Sequence, residues 1–224
     1  LEEGKKTISK NVLTKDWISE WLETYKMPTV SAETYQSYTN VIKNHILPDI
    51  GNLQLKDVKP LHVQKMINKL SGGSKKMIDR VSELTWGIFD AAKANELVLD
   101  NPADRINKPK GTKTGRRAIT DMEREYTLKL AETHPAGILI KLSLYCGLRP
   151  GESCALQWRH IDFKSCTLTV ESTIKRCGGV GKPKSEAGER KVPIPDVFIK
   201  DLKEYKISYG YTSDPFDYVL RNTY

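Results

Sequence analysis

Residues 104–117 read DRINKPKGTKTGRR. Arg105, Lys108, Lys110, Lys113, Arg116 and Arg117 stand against one acid, Asp104, with Gly and Pro among them and almost nothing apolar. No hydrophobic core can run through such a stretch, so the chain must fold as two cores joined by a basic, extended linker. The length of 224 residues suits two small domains. The expected layout is a polar linker over 1–12, a first domain over 13–103, the basic linker over 104–117 and a second domain over 118–224.

The first domain carries apolar residues at helical spacing, punctuated by Pro, Gly and Ser. Ile18, Trp21, Leu22 and Tyr25 mark a helix that starts at Thr14 and stops before Pro28. Ser31 is a good N-cap for the next helix, whose stripe is Tyr35, Tyr38, Ile42 and Ile46, and Pro48 to Asn52 is a turn by composition. A third helix starts at Pro60, with Val63, Met66, Ile67 and Leu70, and ends at Gly72-Gly73. A fourth starts at Ser74, with Met77, Val81, Leu84, Ile88 and Ala91 or Ala92. Four such helices bury a common core as a small bundle. Lys43, Lys65, Lys69, Lys75, Lys76 and Arg80 lie on its surface and fit either phosphate contacts or a solvated face.

The second domain is mixed. Thr120-Asp121-Met122-Glu123 has the capping-box pattern and opens a helix to about Thr133. The next, Ala136 to Cys146, is apolar nearly throughout and is expected to be central. After Asp162 the pattern changes: Thr167 to Val170, Thr173 to Arg176 and Arg190 to Pro195 are β-like around the turn Gly178-Gly179-Val180-Gly181. These form a β-hairpin or small antiparallel sheet. Its tip gathers Lys175, Arg176, Lys182, Lys184, Arg190 and Lys191 against Glu186 and Glu189. A last helix spans about Asp196 to Lys206, with a short strand at Tyr218 to Leu220. The fold class is therefore an α-helical bundle followed by an α+β domain.

Charge narrows the partners. A net charge of +8 and a pI near 9.2 favour nucleic acid or an anionic surface. No apolar run approaches the ~20 residues of a membrane helix, and the polar LEEGKKTISKN has no signal-peptide core. A cytoplasmic protein without membrane contact is expected. Cys146, Cys154, Cys166 and Cys177 contain no C-x-x-C pair, so reduced thiols are expected and no metal site.

The junction Leu144-Tyr145-Cys146-Gly147-Leu148-Arg149-Pro150-Gly151-Glu152 is where chemistry concentrates. Gly147 permits a tight turn, and Pro150 suits the first position of a new helix. Arg149 thus falls at a helix amino end, where unpaired N–H groups and the dipole favour anions. Its guanidinium fits a phosphate bidentately, and Glu152, one turn on, can hold the fork. A surface Arg–Glu pair is the alternative reading of these residues.

Taken together, the residues resemble the tyrosine recombinases, in particular phage- and transposon-type integrases. Cys146 to Glu152, followed by Ala155-Leu156-Gln157-Trp158 and Ile161-Asp162-Phe163, is similar to that family's first-arginine box. Pro183-Lys184-Ser185 and Glu189-Arg190-Lys191-Val192-Pro193-Ile194 are similar to its lysine-bearing hairpin. Asn101-Pro102-Ala103 with the basic linker fits its domain junction, and the helical first half resembles its SAM-like core-binding domain.

The resemblance implies DNA cleavage by a tyrosine that becomes joined to the 3′ phosphate, without metal or cofactor. Cations must stabilise the phosphorane, an acid must protonate the 5′ oxygen, and a nucleophile must lie in line. By motif position Arg149 is the first phosphate-binding arginine, Glu152 its support and Lys184 the general acid, with Lys182 the nearest rival. Lys75, Lys76, Arg80, Lys108, Lys110, Lys113, Arg116, Arg117, Lys175, Arg176, Lys182 and Arg190 are the expected DNA contacts. The implied partners are duplex DNA and other recombinase protomers, with a monomer in solution.

The sequence also departs from the family. No H-x-x-R box follows the hairpin: the only histidine after Arg149 is His160, and Tyr218 stands three residues before Arg221. His160 stands where the family often has an acid. Tyr224 follows the hairpin too soon to be the nucleophile, and Tyr205, Tyr209, Tyr211 and Tyr218 fit no better. The expectation is a truncated integrase that binds DNA without cleaving it. The alternative is a non-catalytic protein that occupies attachment-site DNA and scaffolds or blocks an intact recombinase.

Overall fold

The computed structural model describes residues 11–112, 115, 117–175, 178–181, 188–208 and 214–220. The chain divides into two compact units, residues 1–116 and 117–224.

In the first unit α1 (Thr14–Trp21) runs into a π-helical turn, Leu22–Lys26. Then come α2 (Ala32–His45), the short α3 (Leu47–Ile50), α4 (Pro60–Asn68) and the long α5 (Lys75–Ala94). Ser31 caps α2 as expected, its hydroxyl accepting the Thr34 N–H, and Pro60 opens α4. Pro48 does not give a plain turn: it sits in the first turn of α3, where its missing N–H costs nothing.

α5 is the central element. Ile78, Val81, Leu84, Thr85, Ile88, Phe89 and Ala92 are all buried, a wider arc than the expected stripe, because α1, α2 and α4 all pack on it. The Trp17 indole N–H reaches the Ile88 carbonyl at 3.0 Å and pins α1 across α5. Tyr25, expected on the core stripe, is exposed; its hydroxyl accepts from the Asn95 amide at 2.8 Å. The π turn, closed by Met27 N–H to Leu22 O, adds a residue and shifts the helical phase of the side chains after Leu22.

The basic stretch expected to be extended is fastened to this unit over residues 104–112. Asp104 accepts from the Trp86 indole at 3.0 Å, and Asn107 exchanges two bonds with the Gln64 side chain. Lys108 meets Asp79 at 3.0 Å, and Thr112 pairs with Gly73 and Lys75 through the backbone. Gly111 is required there, because a Cβ would lie 2.7 Å from both the Lys75 N and Cα atoms. Gly111→Ala should release the strap at the cost of about 1 kcal/mol per backbone bond lost. Faster amide exchange at Thr112 and Lys75 would show it; unchanged protection would mean the strap is held without Gly111.

In the second unit α6 (Asp121–Ala131) begins with the expected capping box, Thr120 and Glu123 bonding reciprocally. It is followed by α7 (Gly137–Cys146) and α8 (Pro150–Ala155). The β elements form two sheets. β1 (Ile161–Asp162), β2 (Thr167–Val170) and β5 (Arg190–Pro193) make a three-stranded antiparallel sheet with Leu168 opposite Val192 and Val170 opposite Arg190. β3 (Thr173–Ile174) and β4 (Val180–Gly181) make a separate two-stranded one. α9 (Asp196–Ser208) covers the core of Leu142, Leu148, Trp158, Leu168, Ile194, Phe198 and Leu202.

The strand expected at Tyr218 is a single bridge to Gln157, with Val219 buried beside it. α7 is less central than its composition suggests. Gly137, Leu142 and Cys146 are buried, while its other faces are half-covered by the described residues of this unit. Among the described residues no helix is long and apolar enough to cross a membrane.

Candidate nucleic-acid interface and the Arg149 junction

α7 ends at Gly147, which takes the left-handed conformation at φ +64°. Leu148 is buried and anchors the chain. Arg149 is extended at the N-cap of α8, with Pro150 in the first turn. The Arg149 N–H donates to Glu152 Oε2 at 2.9 Å, and its Nη1 donates to Glu152 Oε1 at 2.8 Å. The Arg149 side chain is 76% exposed, while that of Glu152 is 2% exposed. A surface ion pair is therefore the wrong description: a buried carboxylate holds an exposed guanidinium.

A third residue completes the junction. Arg190, at the start of β5, donates Nη2 to Glu152 Oε2 at 2.9 Å and Nη1 to Glu152 Oε1 at 3.3 Å. Burial pushes the Glu152 carboxyl up, but its bonds from Arg190 and Arg149 outweigh this and bring it to about 2. The group stays ionised, and two guanidiniums against one carboxylate leave net positive charge at the mouth of α8.

Gly151 has a role that sequence reasoning did not give it. A Cβ there would lie 2.5 Å from Thr173 Oγ1 and 2.7 Å from Ile174 O, so β3 packs directly on the first turn of α8. The root of the hairpin is thereby fixed against the arginine box. The turn at Gly178 and Gly179 has positive φ at both residues, as expected of a glycine turn. Lys182 and Lys184, the candidate acids, lie outside the described residues, as do Lys113, Arg116 and Arg176.

The remaining expected contacts fall into separate groups. In the first unit Lys75, Lys76 and Arg80 lie on the first turns of α5, and Lys108 and Lys110 on the strap that crosses it. Asp79 bridges Lys75 at 3.2 Å and Lys108 at 3.0 Å, and these two cations hold its carboxyl below the ordinary range. Arg80 lies 5.4 Å over the Tyr38 ring. In the second unit Arg117 forks onto Glu123 at 2.5 and 2.7 Å, and Lys175 is exposed beside the turn.

His160 is buried. Its Nδ1 accepts the Gln157 N–H at 3.1 Å, and burial pushes its pKa down, so the neutral ring caps a 3-10 turn. Cys146, Cys154 and Cys166 are free thiols, Cys177 lies outside the described residues, and burial pushes Cys146 up to about 11. Among the described residues no cluster of His, Cys, Asp and Glu suits a metal ion.

The chain is thus a helical bundle followed by an α+β unit that carries the Arg149–Glu152–Arg190 junction. Residues 14–71 match the family described as phage integrase, N-terminal SAM-like domain. In sequence the chain is similar to tyrosine recombinases and phage-type integrases. It is 26% identical over 215 residues to a XerC-like tyrosine recombinase of Caldanaerobacter subterraneus subsp. tengcongensis, covering 87% of this chain and 54% of that protein. It is 25% identical to a putative prophage phiRv2 integrase of Mycobacterium tuberculosis, covering 85% and 51%. The chain thus spans about half the length of these relatives.

Among the solved structures that share the fold are two integrases. The Tn1549 transposon integrase in complex with transposon right end DNA matches with a TM-score of 0.72 at 16% identity, covering 95% of this chain and 72% of that one. A lambda integrase dimer bound to a COC′ core site matches with a TM-score of 0.73 at 18% identity, covering 95% and 58%.

Proposed function

We propose that these 224 residues are the DNA-binding part of an integrase-type site-specific recombinase of a mobile element, and that alone they bind duplex DNA without cutting it. The observation that carries this is Arg149: an exposed guanidinium at a helix amino end, oriented by a buried carboxylate whose charge is already matched. That arrangement suits one DNA phosphate. In the complete reaction Arg149 would stabilise charge on the attacked phosphate, and a hairpin lysine, Lys184 or else Lys182, would protonate the leaving 5′ oxygen. The strand break would be held as a 3′-phosphotyrosine, so no cofactor is needed. The partners are duplex DNA and, on it, further recombinase protomers, with the free chain a monomer.

No H-x-x-R box occurs in the sequence, and none of its tyrosines after the hairpin stands where the family's nucleophile does. Incubation with a nicked suicide duplex carrying the attachment site, followed by denaturation, should give retarded DNA beforehand and no covalent adduct afterwards. An adduct mapped to any tyrosine within 1–224 would overturn the non-cleaving reading. Absence of retardation at low salt would overturn the DNA-binding one.

A further inference from the structure

Arg190 belongs by composition with the cations of the hairpin, and composition suggests a DNA contact. Its surroundings say otherwise. Its side chain is 30% exposed, and both terminal nitrogens are engaged. Nη1 donates to Glu152 Oε1 and to the Gly188 carbonyl, each at 3.3 Å. Nη2 donates to Glu152 Oε2 at 2.9 Å and lies 3.5 Å from the Gly147 carbonyl at the end of α7. Arg149, by contrast, gives Glu152 one Nη1 bond and leaves most of its fork in solvent. We infer that Arg190 is a positioning residue: it acts through Glu152 to hold Arg149 open toward a phosphate and does not itself touch DNA.

The physical reason is a competition for one buried carboxylate. Glu152 is too deep to remain unpaired. Were Arg149 its only cation, the guanidinium would be drawn onto it bidentately, and a phosphate would have to displace a buried anion to bind. Arg190 satisfies Glu152 from the other side. Arg149 then keeps the backbone N–H bond and a single side-chain bond that fix its direction, and its remaining donors face outward. The bond to Gly147 O also ties the start of β5 to the turn that sets the backbone of Arg149. A lysine at 190 could supply charge but no planar fork to bridge both oxygens.

The inference rests on Arg149 holding a DNA phosphate, so its test has an arm without DNA. In that arm, ¹⁵N NMR of the Arg149 side chain reads its order in the free protein. Arg190→Ala should broaden or shift that signal while the fold, read by backbone spectra, is kept. An unchanged Arg149 signal would overturn the inference whatever the protein does on DNA. Should Arg190→Ala fail to fold, Arg190→Lys carries the same comparison: a shifted Arg149 signal in a folded protein supports the inference, and an unchanged signal overturns it.

In the DNA arm, binding to a labelled duplex of mixed sequence is followed against salt. Arg149→Ala and Arg190→Ala should each weaken binding about tenfold and reduce the salt slope by about 0.9, one phosphate's share. The double variant should be no worse than either single, because both remove the same contact. Losses that add, with about twice the change in slope, would show Arg190 on its own phosphate and overturn the inference. If Arg149→Ala binds like wild type, the DNA role of Arg149 fails, while the NMR arm still decides what Arg190 does.

Discussion

Glu152→Gln should destabilise the second unit by about 3 kcal/mol, the low end of the cost of removing one partner from a buried ion pair. The low end applies because Arg190 retains partial contact with water, at 30% exposure. Gln keeps the shape and one acceptor but leaves a guanidinium facing no charge. Denaturant unfolding should show a lower midpoint with an unchanged slope, as expected when stability alone changes. An unmoved midpoint would mean the junction contributes no net stability.

The same group gives the stability an acid limb. Its carboxyl titrates at about 2 when folded and near its ordinary value of 4.5 when unfolded. Because the folded value is depressed, the unfolded chain takes up the proton first. The stabilisation, about 3 kcal/mol, is complete above pH about 4.5 and is lost as pH falls from there toward 2. Glu123 is also held at about 2, by Arg117, but on an exposed pair that solvent screens. Unfolding measured across this window should therefore show a steep acid limb in wild type that is largely flattened in Glu152→Gln. A limb that persists in the variant would assign the acid sensitivity to other carboxylates.

Binding to duplex DNA should fall about a thousandfold between about 50 and 200 mM salt, a slope of roughly −5 from about six neutralised phosphates. Lys76, Lys110, Lys175 and Arg149 present exposed charge at once. Lys75 and Lys108 must first exchange Asp79 for phosphate, so they add to the slope while returning less affinity. Anisotropy titrations across that range measure it. A flat response would mean the basic groups are a solvated face and would remove the nucleic-acid reading from both units.

Several parts of this molecule could be read without coordinates because their causes are local. The Ser31 and Thr120 caps use a side chain and an N–H three residues apart, and Arg149 meets Glu152 over the same interval. A pattern of residue types carries that information directly. Other parts have no such signature. Phe89, outside the expected stripe, is buried, because the burial of α5 depends on how many helices surround it, and Tyr25, expected in the core, is exposed, because a π turn shifted the phase after Leu22. The basic stretch lacks apolar residues, yet it is fastened by polar bonds to Gln64, Asp79 and Trp86, which composition cannot foresee.

The sequence by itself determined the division into a helical and a mixed unit, the helix boundaries set by Pro, Gly and caps, and the presence of an arginine at a helix amino end. Only the tertiary structure decided what that arginine is. The difference lies in Glu152: its burial, and the arrival of Arg190 from 38 residues away, turn an Arg–Glu pair into an oriented, outward-facing cation. Local spacing can place two charges on one helix turn. Whether the carboxylate between them lies in water or in the core, and which second cation matches it, is set by how β5 and α8 pack together.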